Sequence, residues 1–383
     1  MLTNGISFLG FKEKKDLKNV KNKFQKIIQT KSDILDSLGN NYKYSYKKKT
    51  LNKYKKSSYF RIIGMGGSIL GTKTIYEFLK HKIKKKFLFV DNLQNNSVKF
   101  NKKFVNLVVS KSGNTTETIV NSNILIKKKD KNIFITENKK NYLYSFAEKL
   151  KSDIIHHNNF IGGRYSVLSE VGMLPAELMG LNIKKFKQYN YLIKNKKFIN
   201  SLINNVGSIL HFIKKKKFNS IIINYDQKSE SLFSWYQQLV AESLGKKQTG
   251  LLPIISNMPK DNHSVMQLYL DGFKNNFFTF FYVNEKKSEK INNKKILISQ
   301  NFLKNKKISN ITYSQFKASE VVFMDKNIPF RSFEIKKRDE KTLGELFTFF
   351  ILETILIGKC LNLNPFDQPE VELIKKETKK ILI

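Results

Sequence analysis

Cysteine is nearly absent: Cys360 stands alone in 383 residues. No intrachain disulfide can form, a thiolate zinc cluster is excluded, and a lone thiol fits a reducing cytoplasmic compartment. Arginine is almost as scarce. Of 70 Lys plus Arg, only Arg61, Arg164, Arg331 and Arg338 are Arg, which leaves 66 Lys. Proline numbers six and glycine 18, with no Pro-rich or Gly/Ser-rich run, so domain boundaries are expected in short loops. Solenoid repeats are missing too. The opening stretch MLTNGISFLGFK lacks the apolar centre of a signal peptide. The longest apolar run, Leu343 to Leu361, is interrupted by Glu345, Glu353 and Lys359. A spanning helix wants about 20 apolar residues with few charges, so this run reads as a buried helix.

What the chain has in excess is positive charge, +39 against 31 Asp plus Glu. Clustered cations attract nucleic acid by releasing counterions, but here the lysines are spread in short runs (47 to 49, 82 to 86, 127 to 129, 214 to 217) beside Asn, Ile, Phe and Tyr. That pattern describes a solvated surface, and arginine, the better phosphate and base reader, is missing from it. No nucleic-acid or membrane partner is expected. The apolar share of 40% suffices for two or three packed domains.

Short apolar runs alternate with amphipathic stretches from residue 59 to 157: YFRII (59–63), FLFVD (87–91), FVNLVVS (104–110), NIFITE (132–137) and DIIHH (153–157). Helical patterns follow several of them, notably at 69–80 and 116–127. Such alternation predicts parallel βαβ units. A second set follows a long helical stretch (184–214): SIIINY (220–225), a helix at 232–244, FFTFFYV (277–283) and the helix at 343–361. The fold class is therefore α/β, with two domains in tandem.

Six local patterns carry chemistry. Gly64-Met65-Gly66-Gly67-Ser68 turns a strand into a helix, where glycines admit close backbone approach and free amides favour anions; a plain tight turn reads the same way. Ser110-Lys111-Ser112-Gly113-Asn114-Thr115-Thr116 places four hydroxyls in seven residues at the next strand end, more than a helix cap needs. The Gly-Lys-Ser/Thr order of a Walker loop is absent. Both loops would sit at the carboxyl ends of parallel strands, where open α/β sheets bind ligands. Arg164 follows Gly162-Gly163, a planar permanent cation on a flexible turn. Gln238 and Glu242 are four apart on one helix face, and a Glu in a cleft can serve as a general base. His263 titrates near neutrality in a helix-start context. Gln368 and Lys375 lie seven apart on one face of a last helix.

In this order, the GMGGS turn, SKSGNTTET, GGRYSVLSEVGMLPAELMG, the Gln238–Glu242 pair with ESLGK, the DNHS segment, and LGELFTFFILE running into NPFDQPEVELIK resemble the glucose-6-phosphate isomerase (phosphoglucose isomerase) family over residues 60 to 376. The resemblance implies two sugar isomerase domains, each a mainly parallel sheet flanked by helices. It divides the chain into an N-terminal helical segment (1–50), a first domain (51–183), a second (184–341) and a C-terminal helical segment (342–383) that completes the active site. It implies isomerisation of glucose 6-phosphate to fructose 6-phosphate through a cis-enediol, without metal or cofactor. Carried onto this chain, Ser110, Ser112 and Thr115 hold the phosphate with Lys111 beside them, while Gly67, Ser68 and Gln238 contact the sugar. Glu242 is the base, Arg164 stabilises the developing charge, His263 and Lys375 assist ring opening, and Gln368 helps bind. The resemblance also implies a homodimer whose sites each take His263 from the neighbour.

The chain departs from the family at Pro259-Lys260, Asn262 and Glu370, and it is short before residue 60. An isomerase that also accepts mannose 6-phosphate, and a sugar-phosphate-binding regulator without chemistry, remain alternatives. A regulator would not need Glu242, Arg164, His263 and Lys375 together.

Overall fold

The computed structural model describes residues 2–13, 17–93, 102–285 and 287–383. Among the described residues, ten strands run in chain order: β1 (Ile6–Leu9), β2 (Tyr59–Gly64), β3 (Lys86–Val90), β4 (Val105–Val109), β5 (Lys131–Glu137), β6 (Asp153–His157), β7 (Asn219–Asn224), β8 (Leu252–Asn257), β9 (Asn276–Val283) and β10 (Phe330–Ile335). They form two sheets of five strands, ordered β3-β2-β4-β5-β6 and β1-β10-β9-β7-β8. Every pairing is parallel except that of β1 with β10.

The first sheet follows from period-two burial. Phe60, Ile62, Leu107, Val109, Ile133 and Ile135 point into the main core, while Ile63, Val108 and Phe134 point to the opposite face, where the Tyr142–Lys149 helix buries Leu143 and Ala147 against them. In the second sheet, β9 is buried at all eight positions, as expected of a central parallel strand covered on both faces.

Three strands escaped the sequence reading. β8 (LPIISN) carries Pro253 and β10 (FRSFEI) carries Arg331 and Glu334, so neither presents a clean apolar run. Proline is tolerated in β8 because that strand is an edge, paired only with β7. β1 corrects the expectation of a helical segment over residues 1–50. The chain does form the Lys18–Gln29 and Asp33–Leu38 helices there, but Ile6–Leu9 closes the second sheet against β10, with Ile6 opposite Ile335.

The Glu340–Cys360 helix is buried at every position from Thr342 to Gly358. Its two internal acids are held differently, and burial pushes the Glu345 carboxyl above the usual carboxylate range. Glu345 accepts from Thr3 Oγ1 at 2.7 Å, and Glu353 pairs with the fully buried Arg331. Among the described residues, no helix is long and apolar enough to cross a membrane. The last helix, Val371–Leu382, buries none of its residues.

Candidate active site

The two sheets present their loops to one another. β2 runs directly into a 3-10 turn, Gly66–Ser68, in which Gly66 adopts φ +52°. This left-handed backbone is one that glycine tolerates at little cost. A Cβ on Gly66 would lie 2.6 Å from Gln238 Nε2, and one on Gly67 would lie 2.2 Å from the carbonyl carbon of Gly163. The first sheet's glycine turn is thus closed upon by the arginine turn (163–168) and by the Glu230–Leu244 helix that follows β7. At Gly67, against fixed backbone, only hydrogen fits.

Arg164 is 2% exposed, and its guanidinium finds a partner in every direction. Nε donates to Ser243 Oγ at 2.8 Å. One terminal nitrogen reaches Glu242 Oε2 at 3.2 Å and also Gln368 Oε1. The other donates to the carbonyls of Pro365 at 2.8 Å and Asp367 at 3.0 Å. A planar five-donor group meets this set of acceptors; a lysine could not. From the opposite side Gln238 Nε2 donates to Glu242 Oε1 at 2.9 Å, as the four-residue spacing predicts. Both carboxylate oxygens of Glu242 are therefore oriented, yet the side chain keeps 25% of its exposure. It opens onto a cleft of about 1010 Å³ bounded by Gly245 to Thr249, by Leu363 and Asn364, and by Asp367 to Val371, including Gln368.

The hydroxyl loop occupies the neighbouring strand end, since Gly64 pairs with Val109 just before Ser110. Ser110 Oγ and Thr115 Oγ1 lie 2.9 Å apart, and Ser112 Oγ accepts from the Asn114 amide at 3.3 Å. Gly113 sits at φ +68°, its absent Cβ replaced by Asn141, which caps the Tyr142–Lys149 helix by accepting from Tyr144 N. Thr115 precedes the Thr116–Leu125 helix and leaves its first amides facing the loop. Lys111 turns sideways: Nζ donates to the Asn159 carbonyl at 2.7 Å and lies 3.6 Å from Glu137. These loop residues do not line the 1010 Å³ cleft onto which Glu242 opens.

The chain matches the phosphoglucose isomerase family over residues 18–383. A glucose-6-phosphate isomerase of Methanocaldococcus jannaschii is 32% identical over 356 residues, covering 85% of each chain. One from Mycoplasmopsis pulmonis is 30% identical, covering 99% of this chain and 91% of its own. The chain belongs to the phosphoglucose isomerase family. Solved structures place its fold with a Thermus thermophilus protein described as hypothetical (TM-score 0.82, 21% identity, 95% and 94% covered) and a glucose-6-phosphate isomerase from Chlamydia trachomatis (TM-score 0.78, 16% identity, 99% and 89% covered).

Within this phosphoglucose isomerase fold, Arg164, Gln238, Glu242 and Gln368 come together, with Gly67 against the arginine turn and the half-buried Ser68 beside it. Two expected residues stand apart. His263 ends an exposed 3-10 turn after β8. Lys375 lies on the exposed last helix and pairs with Glu372 at 2.5 Å. Four contributors were not anticipated. Ser243 anchors the arginine, Tyr165 donates to the Pro365 carbonyl at 2.9 Å, Trp235 Nε1 donates to the Arg164 carbonyl at 3.1 Å, and Lys246 grips Asp367 Oδ1 at 2.5 Å. Ser243 and Tyr165 sit next to the two residues already singled out, the one clue available. Lys246 is one lysine among 66. Among the described residues, no group of three or more His, Cys, Asp or Glu is placed to hold a metal ion.

Proposed function

We infer that this chain interconverts glucose 6-phosphate and fructose 6-phosphate. The observation that carries the reading is Glu242: a carboxylate oriented at both oxygens by Arg164 and Gln238, yet open to a cleft large enough for a hexose phosphate. An aldose–ketose exchange needs one base that removes a proton from carbon and returns it one carbon away, plus a fixed charge for the enediolate oxygen.

Glu242 takes the C2 proton of the open-chain aldose. The electron pair forms a C1–C2 double bond as the C1=O π pair moves to O1; a proton passes from the C2 hydroxyl to O1, and the cis-enediol collapses to the C2 ketone as C1 takes the carbon proton back from Glu242. Arg164, permanently charged and locked by Ser243 and two carbonyls, faces the oxygen where negative charge develops. Ser110, Ser112, Thr115 and the first amides of the Thr116–Leu125 helix hold the phosphate, with Lys111 beside them, its Nζ turned to Asn159 and Glu137. Gly67, Ser68, Gln238 and Gln368 position the sugar. His263 and Lys375 open the ring, His263 reaching the site from a second copy in a two-fold dimer. His263 is exposed on its own chain, which leaves it free for that role. The chain requires no cofactor and works in the cytoplasm, in keeping with its single thiol.

The test is a coupled assay with fructose 6-phosphate, run in parallel in deuterium oxide. Turnover accompanied by solvent deuterium at C2 of the product supports proton abstraction by a side chain. Absence of turnover with intact sugar-phosphate binding overturns the catalytic reading.

A further inference from the structure

Behind the active-site loop lies a second cavity, of about 380 Å³, that the reaction does not use. It opens between the Lys18–Gln29 helix, the turn after it and the end of the Glu340–Cys360 helix. Its floor is apolar: Ile27, Leu35, Ile355 and one face of Phe366. Its rim carries four lysines, Lys23, Lys26, Lys31 and Lys359, with Thr30 and Ser32 between them, and no lining residue is acidic.

Two further observations point to a ligand. None of the four lysines has a carboxylate partner among the ion pairs of the described residues; Lys23 donates to the Asn362 amide oxygen at 3.3 Å, and Lys359 stands 5.3 Å from the centre of the Phe366 ring. Four lysines line one concavity with no acid among its lining residues, so an anion seated there meets only positive charge from the side chains around it. Second, the volume falls at the lower end of the range of small-molecule sites, with the expected make-up of an apolar lining and a few polar groups.

We propose that this cavity binds a small organic dianion, a phosphate ester carrying an apolar or planar body. The body covers Phe366 and the aliphatic floor, and the ester oxygens meet Lys26, Lys31 and Lys359. The site is not isolated from the chemistry. The Phe366 ring packs edge-on against Tyr165 with centroids 5.7 Å apart, and the Tyr165 hydroxyl lies 2.8 Å from the Ser243 oxygen that anchors Arg164. An occupant resting on Phe366 therefore touches the segment whose carbonyls Arg164 holds.

The probe is phenyl phosphate, titrated calorimetrically at low ionic strength into the full chain. Three variants sort the sites. Ser112→Ala with Thr115→Ala weakens the catalytic phosphate loop; Lys26→Glu with Lys31→Glu reverses two exposed rim charges; Lys214→Glu with Lys215→Glu makes the same charge change on an exposed surface elsewhere. The wild type is expected to bind two equivalents per chain. The loop variant keeps the cavity equivalent. The rim variant loses that equivalent by at least tenfold in affinity, and the remote variant retains it within about twofold. The proposal is overturned if the wild type binds a single equivalent that the loop variant removes, or if the rim and remote variants weaken binding equally, which would mean diffuse attraction to a lysine surface. Because the loop variant isolates the catalytic site, failure of the cavity leaves the isomerase reading intact, and the reverse also holds.

Discussion

At the residue scale, arginine and lysine divide the work. The lysines are mostly exposed, whereas Arg164, Arg331 and Arg338 are each at least 91% buried and meet several acceptors. A bias toward Lys thus marks the few remaining Arg as positions where a planar fork is required, and that made Arg164 legible before its partners were visible. The Gln238–Glu242 pairing was legible for a similar reason, since helical spacing alone puts them on one face. Arg164 meeting Pro365 and Asp367 was not, because backbone carbonyls about 200 residues away leave no pattern. Glu242→Gln should keep the Arg164 contact through its amide oxygen, while its NH2 donates to Gln238 once the Gln238 amide has turned to present its oxygen; with the proton acceptor lost, kcat should fall roughly 100- to 10,000-fold with substrate binding preserved. Retention of more than about a tenth of wild-type kcat would remove Glu242 from the role of base. Lys187 offers a pH test. Burial holds its ammonium down to about 7, only partly offset by Glu170, while Nζ donates to the Ser37 and Leu168 carbonyls between the rings of Tyr42 and Tyr44. The unfolded chain therefore binds the extra proton between about pH 7 and the ordinary lysine value, and Lys187 costs stability that is recovered as pH rises through that window, by up to about 1.4 kcal/mol per pH unit. Urea unfolding of wild type and Lys187→Met from about pH 7 to 9.5 should show this slope only in the wild type. Equal slopes would mean that Lys187 titrates normally.

At the scale of elements, the helix bearing Gln238 and Glu242 is fixed from beneath by a buried polar network. Arg331 on β10 pairs with Glu353 on the Glu340–Cys360 helix, and both reach Tyr236 on the Glu230–Leu244 helix: Tyr236 donates to Glu353 Oε2 at 2.9 Å, and Arg331 donates to Tyr236 Oη at 3.2 Å. Asn205 and Thr279 satisfy the remaining Arg331 donors at 2.9 Å each. The same network explains a strand that escaped the sequence. FRSFEI reads as polar because an arginine ordinarily needs water, and only the tertiary partner makes this one a core residue. By contrast the first sheet was legible almost to the residue, since its strands are plain apolar runs with helical patterns between them. Glu353→Leu should cost roughly 3 to 5 kcal/mol in chemical denaturation, because it strands a buried guanidinium. The double change Arg331→Met with Glu353→Leu should recover part of that loss. A single variant that unfolds no earlier than wild type would show that the pair contributes nothing to the packing of the Glu230–Leu244 helix.

At the scale of the whole molecule, one chain brings Arg164, Gln238, Glu242 and Gln368 together but leaves His263 exposed on a turn after β8. A two-fold assembly would complete the site by exchange, and two-fold symmetry makes that testable, because two different defects sort into separate sites of a mixed dimer. Chains carrying His263→Ala and chains carrying Glu242→Gln should each be nearly inactive as pure dimers. In the mixed dimer one site receives the intact Glu242 of the first chain and the intact His263 of the second, while the other site receives both defects. Equal mixing makes about half the dimers mixed, so activity should return to roughly a quarter of wild type once the chains are unfolded and refolded together. Native mass spectrometry gives the fraction of mixed dimers against which recovery is scaled. Recovery that rises in proportion to this fraction supports the shared site. If mixed dimers form and activity stays at the level of the parents, His263 acts within its own chain or not at all.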